Sequence, residues 1–572
     1  MAPPEQASGR SNEREVEWQL DAVDLRPVRR WLEAMTADGM AVEPLGVRSL
    51  HDRYLDTADW RLHRAGYTLR IRTASRRSEA TAKSRGTVAE GLRDRRELTE
   101  PLSSGDPHAV ASAPGPVGEL VRALAGSRPL GLLFEVRTRR RAYSLAVDGG
   151  TVGEVSLDDT SIPVEGGRPA RLQRVEIEID PEAVDAVAPL IDELRTACGL
   201  HPAAASKFQA GLLAAGLVPP PALDLGPVEI DDSTTIGELA FAVLRTQFRE
   251  MLSHEPEARL GEDPEGVHAM RVAIRRMRAA MSVFREVLPV RAQRLRDEFK
   301  WLAGVLGDVR DLDVQLEQAA EWGSGLPGED RAALGPLVAT LKERRAAARS
   351  AMLHHLDSRR SERMMAGMSE MLVRGPLRRS RASRTPALVA GPELVRRRFR
   401  KVRKAGDDLD EDSPAEDLHA LRIRVKRLRY AVEFLGPLHP KRSKRFVRRL
   451  VAIQDNLGEL QDARVATDHI RELVESEGFP LRAVFVLGRI SERYAAQAAS
   501  LRAEFPRLYR RVRRGRWSRL RKAMDRRRAE VLATMPSPRP APVAPAPQPP
   551  SIDEPADPTP ATPTGGLSVV RS

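Results

Sequence analysis

The sequence predicts an α+β chain of two domains, a strand-rich N-terminal domain and an all-α C-terminal bundle with internal duplication. Three observations lead there. Segments of period-two alternation recur between Glu13 and about Leu217: EREVEWQL, YTLRIRT, RAYSLAV, TVGEVSL and RVEIEID. From Thr235 to about Leu532 the apolar spacing is helical throughout. A basic helix occurs twice, HAMRVAIRRMRAAM from His268 and HALRIRVKRLRYAV from His419, at an offset of 151 residues.

Taken in order, residues 1–11 are polar and expected to be disordered. Residues 12–217 form the strand domain, interrupted by helices near Leu25–Asp38 and Pro181–Cys198. VPPPALDLGP begins a stiff Pro-rich linker over 218–232. The helical domain spans 233–532, with Thr234 or Thr235 as a candidate cap for its first helix. Its repeats cover about 233–380 and 390–532, parted by a basic stretch near Gly375–Pro392. Residues 533–572 are Pro-rich, of low complexity, and expected to be disordered.

Composition narrows the function. The net charge of +13 favours an acidic partner, while 4% aromatic residues leave little for stacking bases. No specific nucleic-acid partner is therefore expected. Cys198 is the single cysteine, which excludes an internal disulfide and a cysteine-rich zinc site. The N-terminus lacks the apolar core of a signal peptide, and no apolar run of about 18 residues exists. A cytoplasmic protein without a membrane partner is expected, and its oligomeric state is left open.

In the repeated helix, His268, Arg271, Arg275 and Arg278 fall on His419, Arg422, Lys426 and Arg429. Positions i, i+3, i+7 and i+10 lie within an arc of about 80° on a helix. Each copy thus carries a cationic stripe headed by a histidine, beside an apolar face (Met270, Ile274, Met277 and Met281; Leu421, Val425, Leu428 and Val432). LGDVRDLD from Leu306 and LGELQDAR from Leu457 keep the same offset. Two facing stripes would form a channel for a polyanion, with Asp308, Asp311, Glu459 and Asp462 orienting the cations.

The strands alternate in charge as well as polarity. Glu15, Glu17 and Gln19 share one face, and Val16, Trp18 and Leu20 the other. Arg70 with Arg72, Glu154 with Asp158, and Glu176 with Glu178 are likewise on common faces. A face bearing both acids and arginines makes sense if the sheet curls around a charged lumen. Carboxylates there suit hard divalent cations, and Arg and Lys grip phosphate oxygens. Together they are what metal-assisted phosphoryl hydrolysis requires.

Residues 13–217 resemble a CYTH domain of the triphosphate tunnel metalloenzyme superfamily. The opening EVEWQL resembles the family's Glu-x-Glu-x-Lys strand, and YLDTADWRLHRAGYTLRIR its Tyr-x-(Asp/Glu)-Thr and Leu-Arg-x-Arg stretch. TAKS supplies Lys83, GLRDRRELTE supplies Arg95 and Glu97, VRTRRRAYSL supplies Arg140, and ASKF supplies Lys207. The resemblance implies an eight-stranded antiparallel β-tunnel. Glu15, Glu17, Glu97, Glu154, Asp158, Glu176 and Glu178 would bind Mg²⁺ or Mn²⁺, and Arg70, Arg72, Lys83, Arg95, Arg140 and Lys207 would hold triphosphate. Glu15, Glu17 and Gln19 stand at the catalytic strand. The family lysine implicated in activating water is Gln19 here. An alternative register places Glu13, Glu15 and Glu17 in the motif, with Glu17 at the lysine position.

Residues 233–530 resemble a CHAD domain, through the two His-x-x-Arg-x-x-x-(Arg/Lys)-x-x-Arg helices. That resemblance implies a pseudo-symmetric bundle binding inorganic polyphosphate through His268, Arg271, Arg275, Arg278, His419, Arg422, Lys426 and Arg429. The expected function is hydrolysis of triphosphate or short polyphosphate in the first domain, with polyphosphate captured by the second, including at polyphosphate granules. A binding protein without turnover, a nucleotide or thiamine triphosphate enzyme, and a charge-driven nucleic-acid binder are the alternatives.

Overall fold

The computed structural model describes residues 14–35, 39–74, 77–221, 223–477 and 480–535. The expected disordered N-terminus, nearly all of the Pro-rich tail and Glu13 lie outside the described residues. The strands are β1 (Glu15–Asp21), β2 (Met40–Thr57), β3 (Tyr67–Ala74), β4 (Arg77–Ser84), β5 (Thr87–Ala89) and β6 (Leu92–Arg95). They continue as β7 (Glu97–Leu102), β8 (Leu130–Val147), β9 (Gly150–Ile162), β10 (Ala170–Ile179) and β11 (His201–Pro202).

All pairings are antiparallel. The period-two alternation decides which side each strand buries. Val16, Trp18 and Leu20 pack against Val28 and Leu32 of the Leu25–Ala34 helix and Val187, Ile191 and Leu194 of the Val184–Cys198 helix. Leu69, Ile71, Ala80, Ala82 and Leu98 pack against Val117, Leu120 and Leu124 of the Pro116–Ala125 helix. Helices therefore cover the apolar faces, and the polar faces are turned inward on one another.

The expectation of eight strands in a closed tunnel is not met. The sheet has eleven strands, and its path β5-β6-β1-β10-β9-β8-β2-β3-β4-β7 does not close. Two short strands add to the count, β5 on β6 and β11 on β1. The remaining difference arises at Arg96, where the strand expected over GLRDRRELTE divides. Ser84 Oγ accepts from the Arg96 amide at 3.0 Å, and the Arg96 carbonyl accepts from the Ser84 amide at 2.9 Å. Residue 96 is thus tied to the end of β4, so β7 runs along β4 while β6 stays on β1.

The second domain consists of helices. In the first repeat they are Ile236–Leu260, Pro264–Val283, Arg291–Ser324, Gly335–Leu356 and Arg359–Arg374, with a short turn of helix at Gly328–Ala332. In the second they are Ala387–Gly406, Ala415–Phe434, Pro440–Glu477, Leu481–Arg513 and Arg516–Thr534. Thr235 caps the first helix in a reciprocal arrangement with Glu238. The break between the repeats is shorter than expected, because Ala387–Gly406 runs through Pro392 in its second turn. Both repeats feed one core, in which Met270, Met277 and Phe284 meet Leu428, Phe434 and Leu435. Thr235 bridges Pro386, the residue 151 positions on.

The two domains touch through ionic contacts. Asp357, which Arg259 of its own domain also contacts at 3.0 Å, accepts from Arg61 of the strand domain at 3.0 Å, and Arg96 meets Glu262 at 2.7 Å. Among the described residues, no helix is long and apolar enough to cross a membrane.

Candidate functional sites in the sheet and in the helical groove

The inner face of the sheet brings the sequence-predicted residues together. Glu15, Glu17 and Gln19 are 3%, 3% and 4% exposed, deep burial for polar groups. Such burial is tolerated only with partners. Lys83 pairs with Glu15 and, at 2.8 Å, with Glu97; Arg95 pairs with Glu15 at 2.7 Å and with Glu17. Against the cost of burial, Lys83 and Arg95 hold the Glu15 carboxyl well below its ordinary value. Gln19 Nε2 donates to Glu17 Oε1 at 2.6 Å, while Gln19 Oε1 is buried without a partner.

Two further clusters lie on the same face. Arg140 donates twice to Asp158, at 2.8 and 2.7 Å, and to Glu176 at 2.6 Å. Lys207 pairs with Asp158 and, at 2.9 Å, with Glu176. Burial opposes ionisation of Glu176, but Lys207 and Arg140 outweigh it and hold the carboxyl well below the usual range. Arg72 forks onto Asp52 at 2.8 and 2.9 Å, and Arg70 lies 3.7 Å from the same carboxylate.

One acid of this face has no cation partner among the described residues, and it sits between two that do: Glu17, paired with Arg95, and Glu154, 3.9 Å from Arg140. Register places Glu17 beside Glu178 and Glu178 beside Glu154, a row across β1, β10 and β9. Glu178 makes no ion pair with another described residue. It is exposed, but the protein around it, together with Glu15, Glu97 and Glu17, pushes its carboxyl up to about 7 against the pull of Lys83. Burial, followed by the negative charge of Glu15, also raises Glu17. Among the described residues no three acidic, histidine or cysteine side chains converge as a ready metal cage. Glu15, Glu17, Glu97, Glu154, Asp158 and Glu176 instead have lysine or arginine partners.

A cavity of about 180 Å³ reaches this row at Glu17, while Glu178 and Glu154 do not line it. Glu17, Gln19, Arg70, Lys83, Arg95, Glu176 and Lys207 line it, whereas Arg72 and Arg140 do not. Sequence reasoning missed Asp52 and Arg93. Arg93 also lines the cavity, and its alternation with Arg95 and Glu97 along GLRDRRELTE was a legible signal. Tyr54, His63, Tyr67 and Phe208 supply an aromatic edge.

In the helical domain, Pro264–Val283 packs on Ala415–Phe434, and the two stripes meet. Burial, then the charges of Arg275, Arg422, Arg429 and Arg271, pushes the Lys426 ammonium down to about 8. The local geometry repeats. Arg271 lies across Gly307 and donates to Asp311 at 2.9 Å; Arg422 lies across Gly458 and senses Asp462. A Cβ at these glycines would stand 3.5 Å from Arg271 and 3.3 Å from Arg422, so the missing side chain lets each guanidinium lie close to the helix. Arg275 donates to the Tyr430 hydroxyl at 2.9 Å, a link between repeats that the sequence did not reveal.

Two stripe residues, His419 and Arg278, stand apart from the groove, while His268 stays beside it. His268 faces Arg271, Arg275 and the unforeseen Arg310, and burial first, then these cations, lowers its pKa below the ordinary histidine value. His419 lines a separate pocket with Leu457, Arg464 and Tyr494, its Nδ1 buried without a partner. Arg278 faces Arg296 and Asp297 rather than the shared groove.

Residues 31–212 match the CYTH domain family and residues 242–471 the CHAD domain family. An uncharacterized protein of Mycobacterium tuberculosis, found in strains CDC 1551 and H37Rv, is 26% identical over 458 residues, 75% of this chain and 83% of its own length. Among solved structures, the CHAD domain from the plant Ricinus communis is 27% identical and covers 49% of this chain and 93% of its own, with a TM-score of 0.42. The Hippeastrum protein HpAC1, for which a dominant triphosphatase activity is described, is 20% identical. It covers 36% of this chain and 98% of its own, with a TM-score of 0.29.

Proposed function

Because the chain joins a CYTH domain to a CHAD domain, we propose that its sheet hydrolyses inorganic triphosphate or short polyphosphate with Mg²⁺ or Mn²⁺, and that its helical groove holds polyphosphate. The observation that carries this reading is a cavity walled by Arg70, Lys83, Arg95 and Lys207 that meets, at Glu17, the row running on across the sheet to Glu178 and Glu154. The oxygen donors suit a hard cation. Mg²⁺ is commonly held by one or two carboxylates plus substrate phosphates, so a complete protein cage is not required. When bound, such an ion polarises a phosphoryl group and acidifies a water.

The residues of the chain do the rest. Lys83, Arg95, Arg70 and Lys207 exchange carboxylate partners for phosphate oxygens and take up the charge that develops on them. Gln19 positions water through its free carbonyl but cannot accept a proton effectively. The sheet acts as a tunnel in this reading. In support, β6 and β7 are separated by Arg96 alone, and Lys83 of β4 reaches Glu15 of β1 across the gap. A cavity of about 180 Å³ suits a compact anion, being smaller than the roughly 300–1,000 Å³ usual for larger organic ligands. The test is phosphate release from tripolyphosphate, ATP and long-chain polyphosphate with either metal. Release confined to ATP would move the reading to a nucleotide, held by the aromatic edge.

Gln19 favours a second reading, binding without turnover. Gln19→Lys should raise metal-dependent release from tripolyphosphate if the amide limits a working site. A wild type that binds tightly, with no turnover of any substrate before or after this substitution, is a binder.

For the groove, Arg422→Ala/Lys426→Ala should weaken polyphosphate binding by at least about tenfold, since hydrogen bonds to charged groups contribute roughly 1.5–3 kcal/mol each. Tripolyphosphate release in the sheet should continue. Wild-type polyphosphate affinity should fall as pH rises through about 8, where Lys426 loses its charge. Equal loss of binding and turnover in the double variant would overturn the two-site arrangement. A cytoplasmic location at polyphosphate granules follows from the same reading.

A further inference from the structure

A second basic concavity lies where three helices meet, and all of its lining residues except Arg449 fall beyond the part of the chain that matches the CHAD family. Its volume is about 530 Å³. Arg449 contributes from Pro440–Glu477; Arg507, Arg510 and Arg511 from the end of Leu481–Arg513; Arg514 from the turn; and Arg516 and Arg519 from the start of Arg516–Thr534. Apart from Gly515, no other residue type lines it. Arg507 pairs with Glu504, but the other six guanidiniums have no ion pair among the described residues.

Two features set it apart from an ordinary solvated surface. First, positive charge is placed where the backbone is already positive. Gly515, at φ +66°, starts Arg516–Thr534 without a side-chain cap, and the first turn carries no acid. A helix start favours anions, so arginines there are mutually unfavourable until an anion joins them. What little packing Arg516 has, and then the charges of Arg519, Arg445, Arg449 and Arg448, lowers its guanidinium from the ordinary value. Second, the concavity is not the groove. Gly458, which faces Arg422, is nine residues along the same helix from Arg449, about half a turn away in direction.

We propose that this concavity is a second binding site, for a flexible chain of phosphates, on the outer side of the helical domain and independent of the groove. Walls of arginine and glycine offer forks for phosphate oxygens and no aromatic platform for bases. Trp517 and Tyr509 nearby are buried in the core and provide no stacking surface.

The test is polyphosphate binding to the full chain, followed across a salt series. Arg511, Arg514 and Arg519 are exposed, so Arg511→Gln/Arg514→Gln/Arg519→Gln should leave the thermal unfolding curve in place. Removing three phosphate-neutralising charges should lower the slope of log affinity on log salt by about two, taking ~0.7 per charge for a flexible single strand. Arg422→Ala/Lys426→Ala should retain this component, and combining the two sets should remove more than either. A triple variant that binds like wild type, or a groove variant that loses all binding, overturns the second site. The first of these outcomes leaves the groove reading standing. Displacement of polyphosphate from this component by duplex DNA of equal charge, at equal salt, would overturn the assignment to phosphate chains in favour of nucleic acid.

Discussion

Glu178→Gln is expected to lower metal-dependent phosphate release from tripolyphosphate by about 100-fold or more, because a bound metal supplies several kcal/mol of charge stabilisation. Glu178 is the acid whose neighbours on the sheet are Glu17 and Glu154 and which no cation occupies. Its carboxyl, pushed up to about 7, gives the prediction a pH signature. Metal must displace a proton below that pH, so wild-type metal affinity should rise as pH increases through about 7. The sign for stability is opposite. The folded protein holds this proton over a range in which an unfolded glutamate, near 4.5, has released it. The metal-free protein therefore loses stability as pH rises from about 4.5 to about 7. The glutamine variant should lack that component, and thermal melts with and without metal check it. Undiminished turnover in the variant would remove the row of three acids from the mechanism.

Arg140→Ala is expected to destabilise the strand domain by about 3–5 kcal/mol, the usual consequence of removing one partner of a buried ionic cluster. Asp158, 0% exposed, would keep only Lys207, and so would Glu176. At roughly 2–4 °C per kcal/mol for a domain of this size, the transition should move down by about 6–20 °C. Calorimetry on the full chain should show the shift in one transition more than in the other. The acid side should respond too. Glu176 is held well below the usual range, so its contribution is present above the ordinary carboxylate pKa and lost as pH falls through the lower folded value. In the variant that loss should begin at higher pH. An unmoved melting temperature would mean that Arg140 is not the clasp of this cluster.

The residues of both sites were legible because they follow simple periods. Alternation placed Glu15, Glu17 and Gln19 on one face and Val16, Trp18 and Leu20 on the other, and burial by flanking helices follows from that. The constant offset exposed the two stripes, and the structure repeats even the glycines under Arg271 and Arg422. The partners across the sheet were not legible. Nothing local says that Asp52 neutralises Arg70 and Arg72, or that Lys83 crosses from β4 to Glu15, because these pairs depend on which strands become neighbours. The strand count failed for a similar reason: Ser84 and Arg96 meet only after β4 is in place. His419 and Arg278 share the helical spacing of the stripes, yet packing by other helices turns them to different surroundings.

In the helical domain, Thr235 pairs with Pro386 and Lys426 senses Arg275, each residue meeting its own equivalent in the other repeat. Self-meeting equivalents mark a twofold axis, and that axis passes through the groove. At its centre such a groove offers matching cations read forwards or backwards, Arg271 and Arg275 from one repeat and Arg422 and Lys426 from the other. A linear phosphate polymer is also identical when reversed. Chain and groove would therefore fit in either sense, and a polymer could enter by whichever end arrives first, with no polarity to recognise.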